Sequence, residues 1–375
     1  MQELLELTRE LADKELRPAV DVAERAGTFP RETFRLLGRS GLLGLPYPER
    51  WGGGGQPYEV YLQVVEELAR SWLTVGLGVS VHTLTCFPLA TAGTREQQER
   101  WLPDMLGGDL LGAYCLSEPQ SGSDAAALTT RAAADGDGYR IDGVKAWISH
   151  AGQADFYSVF ARTSGEASGP DRARGISCLH VPASTGGVSA GPAEHKMGMR
   201  ASVTAQMIFD GARVPADHLV GEEGDGFAIA LAALDAGRLG IAACATGLAQ
   251  AALDTAVGYA CERRQFGQPI IDFEGLSFLL ADMATGVEAA RALYRAAARR
   301  KDAGQPFSAQ AAMAKLFAAD TAMRVATDAV QVLGGYGYVE DFPAERYMRE
   351  AKVLQIVEGT NQIQRLVIAR ALRRG

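Results

Sequence analysis

The sequence predicts a mainly α protein with a central β domain. Three observations carry this: apolar residues recur at helical spacing through residues 1–112, short β-branched and aromatic runs replace them over 113–222, and long helical segments return over 223–375. Because single cores rarely grow past roughly 250–300 residues, two or three packed units are expected.

In the first region "QELLELTRELADKEL", "RETFRLLGRSGLL", "YEVYLQVVEELARSW" and "REQQERWLPDMLGG" place apolar residues three and four apart, punctuated by "WGGGGQP". The opening stretch carries charges on every turn, unlike a secretory signal, so a cytoplasmic location is expected. In the second region "YRIDGVKAWIS" reads as a hairpin with Asp142-Gly143 as its two-residue turn, and "DFYSVFART", "GISCLHVPA" and "TAQMIFDGARVP" read as further strands. In the third, helices are expected over 225–262, 272–302, 307–333 and 361–374. The first of these is long and apolar, but it is Ala-rich and interrupted by Asp235 and Arg238, which suits a buried helix better than a membrane span.

The last helix has a readable entrance. Thr360 is a good N-cap, Gly359 lets the chain turn in front of it, and Ile363, Leu366 and Val367 begin an apolar stripe, with Arg370, Arg373 and Arg374 near the C-terminal end of the dipole. Glu358 therefore stands just outside a helix N-terminus among apolar Ile356 and Val357. The helix end favours its carboxylate and the apolar neighbours disfavour it. Taken alone it is either an acid complementing the dipole or a base held out of water.

Bulk properties narrow the function. A net charge of -8 argues against nucleic acid and anionic membrane surfaces as partners. The five cysteines lack a CxxC, and the five histidines have no ligand-like spacing, so no metal site is expected and the thiols read as reduced core residues.

Several separated stretches together resemble the acyl-CoA dehydrogenase family: "AYCLSEPQSGSDAAAL", "KAWISHAGQADFYSVFAR", "HKMGMRASVTAQMIFDGARVP", "LDAGRLGIA", "ERRQFGQPI" and "AVQVLGGYGYVEDFPAERYMREAKVLQIVEGTNQIQRL". "YPERWGGGGQP" and "VSVHTLT" also fit. The resemblance implies an N-terminal helical domain, a middle β-barrel-like domain and a C-terminal four-helix bundle. It also implies FAD, an acyl-CoA substrate, an electron-transferring flavoprotein as acceptor, and a homo-oligomer, most often a tetramer. The "GGYGY" run follows a helical pattern and is not a dinucleotide fingerprint.

The reaction so implied is α,β-dehydrogenation of the thioester. It needs a base for the α proton, polarisation of the carbonyl and an acceptor for the β hydride, which no side chain supplies. Carried over residue by residue, Glu358 is the base, and its backbone N–H joins a flavin ribityl hydroxyl in binding the thioester carbonyl. Some relatives place the base immediately before an arginine on another helix; here Gly237 precedes Arg238. Asp235, Arg238, Gly359 and Ser123 map to the substrate side, with an i,i+3 ion pair as the alternative reading of Asp235 and Arg238.

The cofactor side maps to Tyr114, Leu116, Ser117 and Ser123, to Trp147, Ile148 and Ser149, to Arg263 and Phe266, to Gln331, Gly334 and Gly335, and to Thr360 and Gln362. Ser117 and Ser149 stand where threonine is common, and Glu274 where glutamine is. His150 reads as surface variation and His82 as a satisfied half-buried histidine. "LDAGR" and "VEGT" look most like the short-chain group, so short or medium straight chains are expected. The alternatives are an acyl-CoA oxidase or a carrier-protein thioester dehydrogenase of the same fold, or a helical scaffold without chemistry.

Overall fold

The computed structural model describes residues 2–373; Arg374, in the predicted last helix, lies outside them. The chain opens with α1 (Gln2–Leu11), α2 (Val20–Ala26), α3 (Arg31–Arg39), α4 (Tyr58–Ser71), α5 (Leu73–Ala92) and α6 (Arg95–Leu106). A single extended residue, Trp72 at φ -156°, separates α4 from α5. The side chain of Thr94 accepts from the N–H of Gln97, whose own side chain accepts from the N–H of Thr94, a reciprocal cap that starts α6. The sequence pattern did not single out α5, and the reason is physical: it is buried almost throughout, so no polar face marks a helical period.

The middle region is a sheet of β1 (Gly112–Cys115), β2 (Arg131–Asp135), β3 (Gly138–Ser149), β4 (Phe156–Arg162), β5 (Ile176–Pro182), β6 (Val188–Ala190), β7 (Thr204–Pro215) and β8 (Leu219–Val220). Its pairing order is β6-β7-β3-β2-β4-β5-β8, with β1 parallel to β4. The predicted hairpin turn at Asp142-Gly143 is corrected: Asp135 pairs with Gly138, so the chain reverses at Gly136-Asp137, with Gly136 at φ 63°. Asp142 and Gly143 lie inside the continuous strand β3, where the register against β7 shifts. A side chain at Gly143 would meet Thr130 Oγ1 at 2.5 Å, so close backbone approach, not a turn, requires glycine there.

The C-terminal region holds α7 (Gly226–Glu262), a small hairpin of β9 (Arg264–Gln265) and β10 (Gln268–Pro269), α8 (Glu274–Asp302), α9 (Ser308–Leu333), α10 (Ala344–Leu354) and α11 (Asn361–Leu372). Helix α9 packs against α7, α8, α10 and α11. Helices α5 and α7 are long and apolar enough to cross a membrane, yet most of each apolar stretch is buried inside the protein. One core joins the two helical regions: Leu62, Leu68, Val75 and Leu77 pack in the same cluster as Leu239, Ile241, Leu248 and Tyr294. The sheet has its own core, including Ile141, Val159 and Val181. A third cluster, with Leu89, Leu102, Phe160 and Ala230, ties α5, α6 and α7 to the sheet.

Candidate active site

Glu358 lies in the turn from α10 to α11, with φ 51°, and Gly359 follows with φ 87°. A non-glycine residue pays strain for the left-handed region, so the surroundings must over-determine it. They do: Gln364 Nε2 donates to Gly359 O at 2.8 Å and to Glu358 O at 3.3 Å, and Asn361 N donates to Gln355 O at 3.0 Å. Thr360 caps α11 by accepting from the Ile363 N–H.

The residue as a whole is half-buried, but both carboxylate oxygens of Glu358 are shielded from solvent and have no hydrogen-bond partner among the described residues. The carboxylate faces α7 at Gly237, where an added Cβ would lie 2.1 Å from Oε2. Burial pushes Glu358 up to about 7, against the opposing pull of Lys315 and Arg238. Among the described residues none accepts a hydrogen bond from its backbone N–H. A buried carboxylate without partners, with a pKa near neutrality, is suited to take a proton from carbon. Gly237 also lines a cavity of about 320 Å³, whose walls include Tyr58, Leu84, Phe87 and Ala236.

Arg238 and Asp235 form the i,i+3 ion pair on α7, and the buried arginine favours the Glu358 carboxylate through its charge. Tyr114, on β1, is half-buried with its hydroxyl donating to Ala230 O at 3.3 Å.

Leu116 and Ser117 follow β1 and run beside β3. Ala146 N donates to Ser117 O at 2.8 Å, and the buried ammonium of Lys145 donates to Leu116 O at 3.0 Å and to Glu118 at 2.9 Å. Between Lys145 and Ile148 the β3–β7 register shifts again, and the bulge puts Trp147 at φ 62° with 65% of its surface exposed. Ile148 is buried and Ser149 half-buried beyond it, and Ser123 is exposed on the loop between β1 and β2.

A separate group forms where α7 ends. Arg263 lies over the ring of Tyr336 at 5.7 Å, beside the turn of Gly334 and Gly335, and Gln331 is exposed on the last turn of α9. Phe266, at the tip of the β9–β10 hairpin, has φ 50° and is 94% exposed. No hydrogen bond or ring contact among the described residues joins this group to the Glu358 turn; Gln362, on α11, is exposed, as is Glu274 at the start of α8.

Trp147, Phe266 and Glu358 are thus three of the five non-glycine residues held at positive φ among the described residues. Strain at residues chosen for chemistry is what a binding site shows. An exposed indole in a bulge suits an aromatic ring, and, separately, a guanidinium beside a glycine turn suits an anion.

Two histidine readings are corrected. His150 is not surface variation: it is buried, its Nδ1 pairs with Gly112 O at 3.0 Å, and its ring meets Phe29 and Phe34 edge-on. His82 is fully buried, with Nδ1 accepting from the Gly112 N–H at 3.1 Å. Burial lowers both, to about 4 and about 3, so each is neutral.

Sequence reasoning missed Lys315, Asn361 and Gln364. Lys315 is fully buried on α9, and its ammonium donates to Gly359 O at 3.0 Å and Asn361 Oδ1 at 2.9 Å. The available signal was a lone lysine inside the alanine-rich run "AQAAMAKLFAAD".

Residues 1–109, 113–212 and 224–373 match the N-terminal, middle and C-terminal domains of acyl-CoA dehydrogenase. An acyl-CoA dehydrogenase of Bacillus subtilis (strain 168) is 46% identical over 371 residues, 98% of this chain and 97% of the relative. The structure of butyryl-CoA dehydrogenase from Megasphaera elsdenii superposes with a TM-score of 0.96 at 41% identity, covering 100% of this chain and 98% of that one. A chain in a structure described as the electron transferring flavoprotein of Acidaminococcus fermentans reaches 0.97 at 43% identity, covering 100% and 98%. Family and fold agree: the chain belongs to the acyl-CoA dehydrogenases, flavoprotein oxidoreductases that act on acyl-CoA thioesters.

Proposed function

We propose that this enzyme converts a short or medium straight-chain acyl-CoA to its trans-2-enoyl-CoA, with Glu358 as the base that removes the α proton and FAD as the flavin. The observation that carries this reading is the Glu358 carboxylate, buried, without partners and aimed at Gly237 beside an apolar cavity. Apolar walls exclude water from the acyl chain and keep the base strong. The free N–H of Glu358 is available to the thioester carbonyl, where it stabilises negative charge as the α proton leaves. Gly359 supplies the turn, and the Asp235–Arg238 pair keeps a cation near the carboxylate without bonding it. Ser123, exposed on its loop, completes the substrate side.

When bound, the flavin supplies the acceptor for the β hydride. Tyr114, Leu116, Ser117, Trp147, Ile148 and Ser149 would hold its ring. Arg263, Phe266, Gln331, Gly334, Gly335, Thr360 and Gln362 would hold its phosphate and adenosine end, with an arginine fork and a helix N-terminus suited to anions. The projecting Phe266 and the exposed Leu293, Met313 and Phe317 support a homo-oligomer, as a tetramer. The likeness to the Acidaminococcus structure supports an electron-transferring flavoprotein as electron acceptor. Five free thiols suit the cytoplasm.

The test is product analysis: purified enzyme with butyryl-, octanoyl- or isovaleryl-CoA and an artificial electron acceptor, the flavin being released and identified separately. The reading expects enoyl-CoA from butyryl- or octanoyl-CoA and release of FAD. Release of FMN, absence of enoyl product, or turnover sustained by air alone would overturn it.

A further inference from the structure

Lys315 is an unusual buried charge. It is 0% exposed on α9, yet both of its hydrogen-bond acceptors, Gly359 O and Asn361 Oδ1, are neutral oxygens. A buried ammonium without a bonded carboxylate is costly, and an uncharged donor could hold a carbonyl more cheaply. The carboxylate beside it on the same helix, Asp320, is already engaged by Gln355, Asn361 and Arg365. The remaining nearby carboxylate is Glu358, which attracts Lys315 through space without touching it. The lysine thus grips the turn that carries the base and also places a positive charge close to it.

We propose that Lys315 is a positioning residue for the base: its ammonium fixes the strained Glu358–Gly359 turn through Gly359 O and Asn361 Oδ1, and its positive charge beside that turn favours the carboxylate form of Glu358. This rests on Glu358 being the base. The other groups facing that carboxylate are Arg238 and Cys244 from α7, with Asp235 behind the arginine, Tyr58 and Tyr61 from α4, and Tyr114 from β1. Burial raises the tyrosines and Cys244, which stay neutral through the working range. Lys315 and Arg238 are therefore the two cations that hold the charge, and burial lowers Lys315 itself to about 8, so it is still charged at neutrality.

The experiment compares wild type with Lys315→Met and Lys315→Gln, recording flavin content, binding of a non-reactive alkyl-thioether CoA, and kcat/KM for butyryl-CoA from pH 5.5 to 9, with Glu358→Gln in parallel. Lys315→Gln removes the charge but keeps an N–H donor, on a side chain one bond shorter. The proposal expects normal flavin content and analogue binding, with the acid limb moved up by about one pH unit, so that kcat/KM is about five- to tenfold lower at pH 6–7 and recovers toward pH 9. An acid limb that stays in place, a loss confined to KM, or failure of both variants to fold with flavin overturns the proposal and leaves the lysine a structural role. Activity surviving in Glu358→Gln would instead remove the base reading on which it stands.

Discussion

Gly237 and Glu358 compete for one space: a methyl group on the glycine would lie 2.1 Å from Oε2 of the glutamate. Contact that close does not occur, so the carboxylate keeps its place because position 237 has no side chain. Gly237→Ala is therefore expected to displace the base and lower kcat by at least about tenfold, since small misplacements of a reacting group are costly. Flavin content should be unchanged. Gly258→Ala, on the same helix but with open space around it, should leave kcat intact and stabilise the helix by about 0.5–1 kcal/mol.

The pH profile follows from the burial of Glu358. As the proposed base it acts as the carboxylate, and burial raises its pKa to about 7. Activity should rise with pH, level off above about 7, and fall about tenfold per unit below it. A profile flat down to pH 5 would contradict this assignment.

The same burial makes the Glu358 carboxylate a liability for folding. Its folded pKa is raised, so the folded protein binds more protons than the unfolded chain between about 4.5 and 7, and stability is lost as pH climbs through that window. Glu358→Gln carries no such charge. It should be more stable than wild type by about 1–3 kcal/mol at pH 8, with the difference vanishing near pH 4.5, as denaturation midpoints at the two pH values would show.

Lys145 and Glu118 form a buried pair at 2.9 Å that joins the Leu116–Ser117 segment to β3. Burial works against the Glu118 carboxylate, yet Lys145 and bonds from Thr129 and Thr130 hold it down to about 2. Lys145→Met leaves that charge buried and unpaired, at an expected cost of about 3–5 kcal/mol in urea denaturation. Substituting both partners by apolar residues should recover much of the loss.

Much of this was legible in the chain itself. Strands β4, β5 and β7 alternate or run apolar between turn residues, and Gly359-Thr360 announces the entrance of α11. The Asp142-Gly143 pair misled because its turn chemistry is local, whereas the demand on Gly143 comes from Thr130 across a strand. Helix α5 has no polar face to betray its period. Lys315 showed only as a lone lysine among alanines, and its role could not be read because its acceptors lie 44 and 46 residues further along the chain. Contacts made by folding leave no spacing to read.

The most direct test of the central claim is an anaerobic titration with butyryl-CoA, following the flavin absorbance of wild type and Glu358→Gln. The account predicts rapid bleaching in wild type, and in the variant thioester binding with bleaching slowed by about 10²–10⁴-fold or more. Bleaching in Glu358→Gln at a rate within about tenfold of wild type would contradict it, because general-base catalysis is worth more than that.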